Sequence, residues 1–135
     1  MAPILASLVG VRVLVCGSRT WNDLPTITSV LTSLRPSVVI HGGALGADSL
    51  GGMAAWIMKV PIERYPADWK THGKAAGAIR NQEMLDKGKP QLVLAFWDGV
   101  SRGTKDMIDR AERAGVPVYV TQPKYRAPTQ EVPYV

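Results

Sequence analysis

The stretch IHGGALGADSLGG, residues 40–52, decides the fold. An apolar run, residues 37–40, leads into it, and an apolar-periodic run, residues 50–58, leads out. Apolar residues, then glycine, then helical periodicity mark a strand turning into a helix. Glycine weakens regular elements, so its use here implies positive φ or a close approach to the backbone. Gly42, Gly43, Gly46, Asp48, Gly51 and Gly52 are read as residues that pack nothing.

The pattern repeats along the chain. Residues 11–16, 60–64, 91–96 and 116–120 are short, nearly continuous apolar runs rich in β-branched residues. Parallel strands covered on both faces have this appearance. Helical periodicity fills the gaps. Residues 24–34 carry Leu24, Ile27, Val30, Leu31 and Leu34 on one face, with Asp23 as N-cap and Pro25 in the first turn. Residues 47–59 form the second helix. Residues 77–87 form the third, stopped by Gly88 and Pro90, and residues 104–114 the fourth, with Gly115 beyond its end. Strands alternating with helices predict an α/β fold: a single Rossmann-like domain with a parallel sheet of about five strands, order 3-2-1-4-5, and helices on both faces. The domain is expected over residues 11–121. An irregular lead-in, residues 1–10, precedes it, and a proline-containing tail, residues 122–135, follows.

Composition narrows the function. The chain has 135 residues, which suits one domain with one core. A single cysteine, Cys16, excludes an internal disulfide and a cysteine-based zinc site; its apolar setting predicts a buried thiol. His41 and His72 have no spaced partner, so no metal site is expected. No apolar run is long enough to span a bilayer and the N-terminus lacks a basic front, so a cytoplasmic protein with no membrane partner is expected. The net charge of +5 favours anionic partners, but the basic residues form no run that would read as a duplex-binding stripe.

Three glycine-bearing turns fall on one sheet edge. Gly17-Ser18-Arg19-Thr20 follows strand one, Gly42 to Asp48 follows strand two, and Trp97 to Thr104 follows strand four. All are carboxyl ends of parallel strands, and the order places the switch point between strands one and four, where open α/β sheets bind ligands. Glycines let backbone amides reach a phosphate, and a helix N-terminus adds a favourable dipole. Arg19 and Arg102 supply charge; Ser18, Ser101 and Thr104 supply hydroxyls. A P-loop and a dinucleotide GxGxxG are both absent. Asp68 and Trp69 end strand three on the same edge, where Trp69 serves as a stacking platform or as a hydrophobic lid. Arg80 and Asn81 stand inside the third helix, where pattern alone leaves Arg80 either a surface residue or a site residue. Trp56, among apolar neighbours, reads as core or interface.

The set GSRTW, HGGALGAD, W-x(3)-G-x(3)-G-x(2)-RN-x(2)-M and SRGTKDMIDRA resembles the SLOG superfamily, and within it the YspA-like branch. The resemblance runs over about residues 11–120. It implies a Rossmann-like fold and a nucleotide or nucleotide-derived ligand (AMP-, ADP-ribose- or NAD-like) held by Gly17, Ser18, Arg19, Gly42, Gly43, Gly46, Asp48, Arg80, Asn81, Gly103 and Thr104. One branch of the superfamily, the cytokinin-activating phosphoribohydrolases, cleaves N-glycosidic bonds; another, the DprA-like proteins, binds single-stranded DNA.

The enzymatic branch pairs the arginine of R-x(3)-M with the glutamate of PGGxGTxxE. Arg80 matches the arginine and Gly103-Thr104 the GT, but the glutamate position is Met107, which moves no proton. Asp106 is one residue away, which a helix turns by about 100°; Asp48 and Asp98 are the other carboxylates on the edge. The sequence thus favours a sensor or sequestering domain for a nucleotide-like small molecule, with no separate cofactor. An N-glycosidase with a displaced carboxylate and a single-stranded nucleic-acid binder are the alternatives. A homo-oligomer is compatible with the apolar content.

Overall fold

The computed structural model describes residues 10–124 of the chain. Its centre is β1 (Arg12–Gly17), flanked by β2 (Val38–His41) and β4 (Leu92–Phe96), with β3 (Ile62–Arg64) and β5 (Val118–Thr121) at the edges. All neighbours pair in parallel, in the order β3-β2-β1-β4-β5. This is the expected sheet.

Alternation along each central strand builds two cores. Val13, Val15, Val39, Leu92, Leu94 and Phe96 face α1 (Leu24–Leu34) and α2 (Ala47–Met58). Leu14, Cys16, Ile40, Val93 and Ala95 face α4 (Ala76–Gly88) and α5 (Arg102–Arg113). Burying each such large side chain stabilises the fold by about 1.5–3 kcal/mol. The edge strands depart from the expectation of strands covered on both faces. Ile62 and Arg64 are exposed in β3, and β5 is only half-buried, because an edge strand has neighbours on one side.

Local chemistry fixes the helix ends. The Asp23 carboxylate accepts from the Thr26 amide at 3.1 Å, so Asp23 is the N-cap of α1. α4 runs one residue further than expected. Gly88 stays helical, its carbonyl accepting Arg12 Nε at 2.8 Å, and Lys89 takes the left-handed cap position at φ 47°. A short helix, α3 (Trp69–His72), and a 3₁₀ turn (Gly73–Ala75) precede α4; neither has enough apolar periodicity to show in the sequence. Residues 1–9 of the lead-in and all but three residues of the proline-containing tail lie outside the described residues.

Two glycines of the opening stretch have packing roles, contrary to the sequence reading. A Cβ on Gly51 would lie 2.7 Å from Val15 Cγ1, and one on Gly52 would lie 2.6 Å from His41 Nε2. Both let α2 settle onto the sheet. Trp56 is likewise not core: it is 76% exposed, beside exposed Met53 and Ile57. Trp21 is buried, with its ring 5.4 Å from that of Phe96.

Gly51→Ala gains up to about 1 kcal/mol of helix propensity, but crowding the stiff, fully buried Val15 costs about 1–3 kcal/mol. The expected net result is a lower urea midpoint with an unchanged slope. A variant as stable as the parent would show that the contact relaxes freely.

Candidate functional site

The loops after β1, β2 and β4 meet at the carboxyl edge of the sheet and frame a cleft of about 1030 Å³. Glycines allow the loops to come together. Gly17 lies against the Phe96 carbonyl and Ala47, and Gly46 (φ 79°) lies against the carbonyls of Ser18 and Arg19. The Ser18 carbonyl accepts from Ala47 N at 3.2 Å, and Ser18 Oγ accepts from Asp98 N at 3.0 Å. Three loops are thereby pinned through one buried serine.

The floor is built around Asp48. Its carboxylate is buried and accepts from Gly42 N at 2.9 Å; the Ala44 amide also donates to it. Burial pushes its pKa up to about 6, against the opposing pull of Arg80 and the two amides. Arg80 reaches inward from α4: Nη1 donates to the Gly42 carbonyl at 2.6 Å and Nε donates to Asn81 Oδ1 at 3.1 Å. Arg80 is thus a floor residue. One residue, Gly42, gives its amide to Asp48 and its carbonyl to Arg80, and a Cβ there would collide with both side chains. Asn81 is buried and donates to Asp106 Oδ2 at 2.9 Å and to the Gly103 carbonyl at 3.3 Å.

Of the residues expected at the site, Gly17, Arg19, Gly42, Gly43, Asp48, Trp69, Arg80, Asn81, Ser101, Arg102, Gly103 and Thr104 line the cleft, as do Asp98 and Asp106. Ser18 and Gly46 do not; they hold the loops from behind. Asp68 does not either. It caps α3 through the Thr71 amide at 3.1 Å and lines a neighbouring concavity of about 730 Å³ on the outer side of α4.

The phosphate-ready ends divide. Around the start of α2 several amides are already occupied. Gly42 N goes to Asp48, Gly43 N goes to His41 Nδ1 at 3.0 Å, Ala47 N goes to Ser18 and Ser49 N goes to the Ala44 carbonyl at 3.2 Å. At the start of α5, the one helix amide that Ser101 Oγ takes is that of Thr104, at 3.4 Å, beside a 3.0 Å hydrogen bond with Thr104 Oγ1. The first amides of a helix have no intrahelical partner, so those of Arg102 and Gly103 remain for a ligand, and nothing lies within 4 Å of a Cβ built on Gly103.

Five basic side chains line the cleft: Arg19, Arg64, Lys74, Arg80 and Arg102. Among the described residues none of them makes an ion pair. Sequence reasoning missed Arg64 and Lys74. Arg64 ends β3 on the ligand edge, so its position was a usable signal. Lys74 lies in the 3₁₀ turn, which has no sequence signature.

The carboxylates differ in chemistry. Burial raises the pKa of Asp98, but amides of Val100 and Ser101 donate to it and bring it below the usual value. Burial also raises Asp106, and Arg110 and Asn81 outweigh it. Both are held as anions. Met107 is buried against the cleft and offers no proton. Burial pushes the Cys16 thiol well above its ordinary pKa, which makes it unreactive. Burial, with Arg64 and Arg80, lowers His41 to about 4, so it is neutral and accepts from Gly43. Among the described residues no group of three His, Cys, Asp or Glu side chains could hold a metal ion. No helix among them is long and apolar enough to cross a membrane.

Residues 11–72 match the family described as YspA, cpYpsA-related SLOG. The Gene 61 protein of Mycobacterium phage D29 is 44% identical over 117 residues, covering 79% of this chain and 93% of that protein. The chain belongs to the YspA-related SLOG family. The fold of this SLOG domain is similar to DNA processing protein A (DprA) from Streptococcus pneumoniae, with TM-score 0.64, 20% identity and 86% of this chain covered. The chain spans about half (51%) of that structure's length. It is also similar to DNA processing protein A from Helicobacter pylori, a structure described for its single-stranded DNA binding mode (TM-score 0.58, 18% identity, covering 95% of this chain and 73% of that one). At these identities the likeness is one of fold.

Asp48 makes stability depend on pH. Its folded pKa of about 6 lies above the ordinary 3.8, so the unfolded state releases its proton first. Its contribution is full below pH 4 and is lost as pH rises through 6, by about 3 kcal/mol at 1.36 kcal/mol per unit. The neutral His41 has the opposite slope: its contribution is lost as pH falls from 6.5 through 4. Asp48→Asn removes only the first effect. Its unfolding free energy relative to the parent should therefore shift in the variant's favour by about 3 kcal/mol between pH 4 and pH 7. A constant difference would show that Asp48 titrates normally.

Proposed function

We propose that the cleft binds a nucleotide or nucleotide-derived ligand, with AMP-, ADP-ribose- and NAD-like molecules as the class, and acts as a sensing or sequestering site. The observation that carries this reading is the cationic lining. Five basic side chains without ion-pair partners face a cleft that also presents the two open amides of α5. An anion there satisfies amides and guanidinium groups together. The cleft volume suits a ligand of nucleotide size. Trp69, 54% exposed at the mouth, offers a ring face for a base.

The site residues also support binding without standard phosphoribohydrolase chemistry. Met107 stands at the glutamate position, and Asp98 and Asp106 are held as anions by their donors. Asp48 is the one carboxylate of the cleft whose pKa is shifted upward, so an N-glycosidase, the second reading, would have to use it.

Single-stranded nucleic acid is a third reading. It is favoured by the exposure of Arg19, Arg64, Lys74, Arg102 and Trp69 around the mouth. Stacking plus phosphate contacts serve such binding.

One set of samples separates the readings. Protein is incubated with AMP, ADP-ribose, NAD and cyclic ADP-ribose, and thermal shift and released base are recorded together. Stabilisation with intact ligand is the expected result; released base would convert the site to a hydrolase. Arg102→Ala should weaken binding of the stabilising ligand about 10-fold or more, as loss of a charged hydrogen bond does. An unchanged affinity would remove α5 from the site. Binding of an oligodeoxynucleotide with a steep salt dependence, and of no mononucleotide, would favour the third reading.

A further inference from the structure

We propose that Asp48 is the acceptor for a ribose hydroxyl, so that the site selects ribonucleotides over deoxyribonucleotides. This assignment rests on the nucleotide reading of the cleft. It follows from where the chemistry sits along the edge. Trp69 follows β3, Asp48 follows β2 and the open amides of α5 follow β4. Neighbouring strands lie about 4.8 Å apart, so β3 to β4 is a span of roughly 14 Å. A nucleotide laid across it, ring toward Trp69 and phosphate toward α5, brings its sugar over the loop that carries Asp48.

The donor count at Asp48 points the same way. A carboxylate has about four lone-pair sites, and the amides of Gly42 and Ala44 account for two. Arg80 borders the same Gly42 but makes no ion pair with Asp48, because its Nη1 is turned to the Gly42 carbonyl. The other titratable group facing Asp48 is the Cys16 thiol, which is protonated. Two amide donors leave about two of its acceptor sites for a further donor. A hydroxyl supplies one; a phosphate would be repelled, and a base ring nitrogen without a proton supplies none. An acidic residue bonded to a ribose hydroxyl is the arrangement that dinucleotide-binding α/β sheets also use.

The test is the affinity of the parent protein and of Asp48→Asn for AMP, for 2′-deoxy-AMP and for a short oligodeoxythymidine at pH 7.5, followed by tryptophan fluorescence. AMP is expected to bind the parent at least about 10-fold tighter than 2′-deoxy-AMP. In Asp48→Asn the two should bind within about 2-fold of each other, with the affinity for 2′-deoxy-AMP nearly unchanged. A second readout does not depend on the variant's folding: the ¹³C resonance of the Asp48 carboxyl should move on addition of AMP and not of 2′-deoxy-AMP. Equal affinities in the parent, or a preference that survives in Asp48→Asn, overturn the assignment while leaving the nucleotide site standing. Binding of the oligodeoxythymidine alone, or of none of the three, overturns both.

Discussion

The structure turns on a buried carboxylate in a glycine loop. Asp48 sits at the start of a helix, where the dipole favours a negative charge, and it gathers the amides of Gly42 and Ala44 around itself. Water is excluded, so the charge is costly and its pKa rises to about 6. The loop cannot drift from it without leaving that charge unpaired, and leaving a buried charge unpaired is strongly destabilising. Gly42 is fixed by the same constraint, because Asp48 and Arg80 both occupy the space that a Cβ on it would take.

From that point the rest of the edge follows. Arg80 reaches the floor from the opposite layer and ties α4 to the β2 loop. Asn81, its neighbour, ties α4 to α5 through Gly103 and Asp106. Ser18 ties the β1 loop to the β2 and β4 loops. The amides of Arg102 and Gly103 open α5, while the rim residue Arg64 stands beside Gly43 in the Asp48 loop.

The physical chemistry of glycine explains which readings of the loop succeeded. Gly17, Gly42 and Gly46 are needed because backbone or charged groups approach within contact distance. Gly51 and Gly52 need the same closeness, but toward Val15 and His41, from layers that sequence spacing does not bring together. A glycine pattern signals close approach; it does not say what approaches. Of the amides in the turn before α2, that of Gly42 goes to the internal carboxylate of Asp48.

The sequence by itself determined the sheet, its order, the four long helices and the edge on which polar loops gather. Strand alternation, β-branched runs, Asp23 as a cap and glycine-marked turns are local signals, and right-handed crossovers leave few topologies. Tertiary structure decided which polar residues face the cleft and which serve the scaffold. Arg80, ambiguous as a helix-surface residue, points inward because Gly42 and Tyr65 offer carbonyls there. Asp68, expected in the cleft, caps α3 beside it. Trp56, expected as core or interface, is exposed because the small residues Gly51, Gly52, Ala54 and Ala55 take the inner face of α2. Side-chain direction and the balance between burial and hydrogen bonding depend on atoms from distant parts of the chain, and no local pattern encodes them.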